Sequence, residues 1–192
     1  MEYISNGITS ILIESGAISE KERKLYTYCI SGVVEMGINI ILTLALGLIL
    51  GKFIETLVFL LILIPLRSRA GGYHASNGNT CFVLSILVYL LTILITAVMS
   101  SAFSYLYSIP IFVITTIGTL ALSPVDCKNK RLNNEEKRRQ RKNCVVIMSV
   151  VSVFFSVMTG FQIANLCFLI STCIWMVFLL LIAGRIQNLR EE

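Results

Sequence analysis

Six long apolar runs fill most of this chain of 192 residues and restrict its fold more than any other feature. Hydrophobic residues make up 56% of the sequence and charged residues 14%, whereas an average soluble domain is about 25% charged. A soluble core of this size cannot bury so much apolar sequence, so lipid must be the solvent for much of it. The runs cover approximately Tyr28–Leu50, Phe53–Leu66, Phe82–Ser100, Tyr105–Ser123, Cys144–Thr159 and Gln162–Ala183.

These runs predict an all-α polytopic membrane protein with about six membrane segments, some of them short or re-entrant. No linker divides the chain, so residues 1–192 are expected to form a single membrane domain. The second run has 14 residues, which rise only ~21 Å against a hydrocarbon core of ~30 Å. Either its helix continues through Arg67 and Arg69 or re-entrant chain completes the span. We expect the helix to end near Ala70, with Gly71-Gly72 as the break.

The first 24 residues are expected to form an amphipathic helix that lies in the membrane interface. Ile4, Ile8, Ile11 and Leu12 share one face of such a helix, with polar side chains mostly elsewhere. A helix packed on the membrane domain explains the same pattern equally well.

The distribution of basic residues predicts the orientation. If the N-terminus is cytoplasmic and six segments cross, 15 of the 16 Lys and Arg residues face the cytoplasm and only Lys52 lies outside. Both termini, the loop around residues 67–81 and a basic loop at residues 126–143 are then cytoplasmic. The basic loop is suited to bind either an acidic substrate tail or anionic lipid headgroups.

The polar stretch between the second and third runs contains the only histidine, His74, and a cysteine seven residues later, Cys81. A thiol and an imidazole are the minimum set for a thiolate nucleophile and its base. In one straight helix they would be ~10.5 Å apart along the axis, so the chain must turn between them, and Asn77-Gly78-Asn79 favours a turn. The alternative is a loop histidine near an unrelated cysteine. Zinc fits less well, because no second histidine exists, and we expect neither a metal nor a cofactor.

Glu35 lies inside the first run, where a carboxylate facing lipid is costly. Asn39 follows four residues later on the same helical face. Glu35 therefore has either a structural partner on another helix or a functional role, such as orienting His74 or pairing with Arg67.

The motif Arg67-x-x-Ala-Gly-Gly-Tyr-His-Ala followed by Cys81 resembles the signature of the AgrB family, membrane-embedded cysteine endopeptidases of bacterial quorum sensing. The resemblance covers nearly the whole chain and includes Glu35 and the stretch Ser-Pro-Val-Asp-x-Lys-Asn-Lys at residues 123–130. One departure is Leu132, where the family pattern has a proline.

The resemblance implies that the chain removes the acidic C-terminal tail from an AgrD-like pro-peptide and forms an acyl-enzyme thioester that leads to a cyclic thiolactone. The family's nucleophile falls on Cys81, its base on His74, and its required arginine and glycine on Arg67 and Gly72. The chemistry itself suggests that backbone N–H groups near Gly71 and Gly72 stabilise the oxyanion. Arg67 and Arg69 either hold a substrate carboxylate or serve as positively charged anchors.

Membrane lipids and the pro-peptide are the expected partners, with no nucleic acid, a homodimer as the expected assembly and the bacterial plasma membrane as the location. A different reading is a small peptide transporter without proteolysis, in which Glu35, Asn39 and His74 line a polar path. A third is an accessory membrane subunit without chemistry. Cys81 distinguishes them, because only the endopeptidase requires its thiol.

Overall fold

The computed structural model describes residues 2–72, 78–125 and 133–190. Within these ranges the chain forms seven α-helices and two short 3-10 turns, which confirms the predicted all-α fold. The helices are α1 Glu2–Glu14, α2 Arg23–Ile49, α3 Phe53–Ala70, α4 Gly78–Ala102, α5 Ser108–Leu122, α6 Asn134–Gly160 and α7 Ala164–Arg190, and the 3-10 turns are Glu20–Glu22 and Tyr105–Tyr107.

Five helices, α2, α4, α5, α6 and α7, are long and apolar enough to cross a membrane. The sixth predicted segment, α3, has 18 residues and carries three charged side chains, Glu55, Arg67 and Arg69. It ends at Ala70, as predicted, and continues past Pro65. Large apolar side chains on the outside of the bundle, such as Leu61 (73% exposed) and Ile41 (69% exposed), form a surface suited to lipid.

The core is organised around α7. In its apolar segment 61% of the residues are buried, against 22% or less in the other four spans, and it contacts α3, α4, α5 and α6. Its close approach to α5 requires Gly118, because a Cβ there would overlap the ring of Phe178. Phe112 of α5 stacks on Phe155 of α6 with ring centroids 4.0 Å apart, which fixes the relative level of these two helices.

The N-terminal helix α1 packs on the membrane domain and also presents an apolar face to the outside, so it has features of both arrangements that the sequence allowed. Its polar face packs on α2: Ser5 and Thr9 are fully buried, and the Thr27 hydroxyl donates to the Thr9 hydroxyl over 3.1 Å. Its apolar face points away from the bundle, with Ile11 65% exposed. A helix packed through its hydroxyl groups and apolar on the outside suits a position at the membrane interface.

One local prediction was wrong. The stretch 126–143 is not a loop throughout, because α6 begins at Asn134, and residues 126–132 lie outside the described ranges. Asn133 and Glu136 form a capping box that satisfies the first free backbone N–H groups of α6 and outweighs the repulsion among the basic residues that follow. Gly78 and Asn79 belong to the first turn of α4, and Asn77, where the predicted turn begins, lies outside the described ranges, so the turn between His74 and Cys81 stays a prediction.

Candidate active site at the junction of α3 and α4

The candidate site lies at the end of the bundle where α3 ends and α4 begins, which we call the motif end. Gly71 and Gly72 follow α3 with φ angles of +76° and +118°, a region that side chains other than glycine rarely adopt. The Gly71 N–H donates to the carbonyl of Arg67 over 3.1 Å. The Val125 N–H donates to the carbonyl of Ala70 over 2.9 Å, and Gly71 and Val125 form a short parallel bridge.

Close packing requires both glycines. A Cβ on Gly71 would overlap the carbonyl oxygen of Val125, and one on Gly72 would lie 3.1 Å from the carbonyl oxygen of Leu180 in α7. Val125 itself is buried, at 7% exposed. The segment that leaves α3 is therefore held between the end of α5 and α7. Since the Gly71 N–H already closes the end of α3, the role that these contacts support for Gly71 is positional.

Cys81 is the fourth residue of α4 and a free cysteine, half-buried. Its carbonyl oxygen accepts a hydrogen bond from the Ser85 hydroxyl over 3.0 Å, one turn further along the helix. His74 lies outside the described residues, so the contact between His74 and Cys81 remains a prediction.

The two arginines of the motif lie in the last turn of α3, where positive charge interacts favourably with the helix dipole. Arg69 is exposed and Arg67 is half-buried. Both are therefore next to the glycine segment, at the same end of the bundle as Cys81.

Glu35 lies on α2 at the level of these arginines. Gly47 of α2 contacts Thr56 of α3 in this antiparallel pair, and 12 residues from that contact, ~18 Å along each helix, lead to Glu35 and to Ser68. Glu35 is half-buried, and it takes part in neither of the two ion pairs found within the described ranges, Glu20–Arg23 and Lys52–Glu55. The predicted pairing of Glu35 with Arg67 is not among them.

A second basic group lies near the motif end, at the beginning of α6. From the stacked pair Phe112 and Phe155, α5 continues ~15 Å to its end, whereas α6 extends ~32 Å in the same direction back to Asn134. The first turns of α6 therefore project beyond the end of α5. The exposed basic residues in this projecting part, which we call the basic end of α6, are Arg138, Arg139, Arg141 and Lys142.

The sequence analysis singled out the residues with reactive or charged side chains, but not Val125, which holds the glycine segment in place. Val125 contacts Gly71 from a distance of more than 50 residues in the chain. The only available signal was its place in the stretch 123–130, which the family resemblance had already included.

Comparisons with known proteins identify the family of this chain. The sequence model of the AgrB family, described as accessory gene regulator B, matches residues 5–180. The chain is 27% identical over 164 residues to "Putative AgrB-like protein 2" of Clostridium perfringens (strain 13 / Type A), covering 83% of this chain and 77% of the relative. It is 27% identical over 156 residues to "Putative AgrB-like protein" of Clostridium perfringens (strain SM101 / Type A), covering 77% of this chain and 72% of the relative. No solved structure shows significant similarity. The family match covers most of the chain and includes both the glycine segment and Cys81, so this protein belongs to the AgrB family.

Proposed function

We propose that this chain is a membrane-embedded cysteine endopeptidase that removes the C-terminal tail from an AgrD-like pro-peptide. The observation that carries the proposal is the position of Cys81, a free, half-buried thiol at the beginning of α4, beside the end of α3. Family membership supports a role in processing a quorum-sensing peptide. A half-buried thiol can be reached by a peptide and is shielded from much of the surrounding water.

In the proposed reaction the Cys81 thiol gives its proton to His74, and its sulfur attacks the carbonyl carbon at the junction of signal and tail. The tetrahedral intermediate then collapses, the carbon–nitrogen bond breaks, and His74 returns the proton to the leaving amine. The products are the free tail and a thioester between the signal peptide and Cys81.

Ring closure follows by thioester exchange. The thiol of a cysteine within the signal peptide attacks the thioester carbonyl, the bond to the Cys81 sulfur breaks, and the proton returns to Cys81. One thioester replaces another, so the free energy changes little. Water would hydrolyse the thioester instead, and a site at the membrane boundary limits its access.

The side of the membrane follows from the positive-inside rule. With the motif end in the cytoplasm, the arginines of α3 and the basic end of α6 lie on the side that membrane proteins normally make positive. The enzyme would then act on peptide at the inner leaflet of a bacterial plasma membrane. We also propose a homodimer, which chemical cross-linking in native membranes would test.

The basic end of α6 is proposed to bind the acidic tail of the pro-peptide. Replacing Arg138, Arg139, Arg141 and Lys142 together with glutamate should raise the KM for the full-length pro-peptide about tenfold, because attraction becomes repulsion. Processing of a pro-peptide whose tail carries lysines in place of its acidic residues should improve in the same variant. KM is measured with purified protein in vesicles at low and at high salt.

The unfolding temperature is the control for the variant with four glutamates at the basic end of α6. These four side chains are exposed, so the unfolding temperature should stay close to that of the wild type. Unchanged processing of the acidic pro-peptide would refute the docking role and leave lipid headgroups as the partner of these residues.

Glu35 is proposed to orient catalytic groups at the motif end, because its carboxylate lies at the level of Arg67. Glu35→Gln keeps the shape and removes the charge, and should lower kcat about tenfold. Glu55→Gln is the matched control, since Glu55 lies at the first turn of α3, at the opposite end of the bundle, and pairs with Lys52. Wild-type kcat in Glu35→Gln would remove Glu35 from the mechanism.

Co-expression with AgrD-like pro-peptides tests the function directly. Mass spectrometry of the purified protein should detect a C-terminally trimmed peptide attached to Cys81. Intact pro-peptide and unmodified Cys81, in cells where both chains are made, would contradict the proposal.

A further inference from the structure

Helices α2, α3 and α4 meet tightly at one level of the bundle. A Cβ on Gly47 of α2 would overlap the Thr56 hydroxyl of α3, which leaves no space between these two helices. The Thr56 hydroxyl lies 2.8 Å from the Tyr89 hydroxyl of α4, and both residues are fully buried. Thr43 and Gly47 are the buried residues of α2 in the part of the chain that the structure describes, and both lie at or near this contact.

From this contact toward the motif end, α2 loses its cover. The face that carries Gly47 continues as Thr43, Asn39, Met36 and Gly32, which lie within an arc of about 80° on the helix. Thr43 is 2% exposed, Asn39 is half-buried, Met36 is 51% exposed and Gly32 is exposed. This face of α2 therefore passes from buried to open and separates from α3 and α4, whereas α1 packs on the opposite side of α2 through Thr27.

Helix α4 also passes from buried to more open packing toward the motif end. The inward face of α4 carries Thr96, Thr92 and Tyr89, all buried, and continues toward the motif end as Ser85 and Cys81. These last two are only half-buried, although they lie on the same face. Cys81 thus points toward the interior of the bundle at a place where the packing is open.

The two open faces lie at the same height. Helices α2 and α4 run in the same direction, and eight residues separate Gly47 from Asn39 and Tyr89 from Cys81. Both distances amount to ~12 Å from the shared contact at Thr56. We define the α2–α4 cleft by Met36 and Asn39 on one side and Cys81 and Ser85 on the other, with Gly32 at its outer rim on α2, ~10 Å beyond Asn39.

The five residues that define the cleft are uncharged, and Glu35, on the same face of α2 as Asn39, borders it with a negative charge that disfavours an acidic tail. The motif end beyond it carries Arg67, Arg69 and the basic end of α6. The Asn39 Oδ1 accepts a hydrogen bond from the Thr43 hydroxyl at 3.4 Å, which leaves the amide N–H groups to donate to a peptide carbonyl. Met36 adds a flexible apolar contact that adapts to different side chains.

We propose that the α2–α4 cleft binds the uncharged segment of the peptide substrate that precedes the cleaved bond, with Asn39 donating to its backbone. This inference rests on the proposed function of Cys81 as nucleophile. It divides the substrate by charge: the acidic tail lies against the basic residues, and the segment that stays on Cys81 lies in the cleft. The cleft therefore selects the acyl part of the substrate.

Two glycines of α2 provide a matched test. A Cβ on either Gly32 or Gly37 would have no neighbour within 4 Å, so a larger side chain fits at both positions. Gly37 lies five residues further along and about 140° around the helix, outside the cleft. Gly32→Leu should raise the KM for an AgrD-like pro-peptide about tenfold, and Gly37→Leu should change it less than about twofold. Equal KM values in the two variants would overturn the proposal.

Photo-cross-linking identifies what occupies the cleft. A benzophenone amino acid replaces Met36 or, as control, Ile41, which is 69% exposed on another face of α2, both in the Cys81→Ala variant so that the pro-peptide stays intact. Position 36 should give at least about fivefold more adduct with the pro-peptide than position 41. Adducts at position 36 only with lipid, or with a second copy of the chain, would overturn the proposal.

The wild-type protein separates failure of this inference from failure of the proposed function. If the wild type forms the acyl adduct on Cys81 but position 36 does not capture the pro-peptide, only the cleft is refuted. If position 36 captures the pro-peptide but the wild type neither cleaves nor acylates, the binding surface stands and the endopeptidase is refuted.

Discussion

Cys81→Ala is expected to abolish cleavage of the pro-peptide, with a loss of at least about 10⁴-fold in kcat, because no other group can form the acyl-enzyme. Binding of the pro-peptide should persist, since the thiol contributes little to the contact surface. Cys81→Ser should also be inactive in ring closure, because an ester on serine makes the exchange to a thioester unfavourable. Mass spectrometry of the co-expressed peptide measures both reactions.

Substitution of a second cysteine, Cys29, is the matched control for Cys81→Ala. Cys29 is also exposed to reagents, but it lies near the beginning of α2 and has no role in the proposed reaction. Cys29→Ala should process the pro-peptide as the wild type does. Full processing by Cys81→Ala would refute the endopeptidase and favour a transporter, in which the thiol is dispensable.

Gly71→Ala is expected to destabilise the protein by about 2–6 kcal/mol and to abolish processing. The backbone of Gly71, with φ +76° and ψ −143°, lies in a region that costs ~1–3 kcal/mol for any other residue, and the Cβ would also displace the backbone of Val125, which adds ~1–3 kcal/mol. Thermal unfolding in detergent micelles, together with processing in vesicles, measures the two effects.

Gly51→Ala isolates the cost of the backbone angle. Gly51 has a φ of +64°, and a Cβ there meets nothing within 4 Å, so only the ~1–2 kcal/mol of strain should appear. If Gly51→Ala and Gly71→Ala lose equal stability, the contact with Val125 is not what makes Gly71 necessary. A stable but inactive Gly71→Ala protein would assign the glycine a direct role in the reaction.

Patterns that act over a few residues were predictable, because hydropathy and capping are local. The end of α3 at Ala70 followed from Gly71-Gly72, and the α-helical spans followed from the length of the apolar runs. The start of α6 was also visible in the spacing of Asn133 and Glu136, but the density of basic residues led to the prediction of a loop. Helix capping acts between neighbouring groups, whereas exposed charges repel only weakly in water.

Which surfaces are buried could not be predicted. Because the spans are predominantly apolar, hydropathy does not distinguish the central α7 from α4, which is equally apolar but much less buried. The packing of α1 through Ser5 and Thr9 reverses the usual expectation that the apolar face is buried. In lipid the apolar face has no reason to turn inward, so hydrogen bonds and close fit decide the contacts.

The sequence alone determined that the chain is helical with spans long enough for a membrane, and it predicted a nucleophile, a base and the positive charges near them, since these properties belong to single side chains and short segments. Only the tertiary structure showed that Val125 contacts Gly71, and that Asn39 of α2 and Cys81 of α4 lie the same number of residues from the contact at Thr56. Such relations join residues from different helices, and they depend on how the helices pack, which hydropathy does not encode.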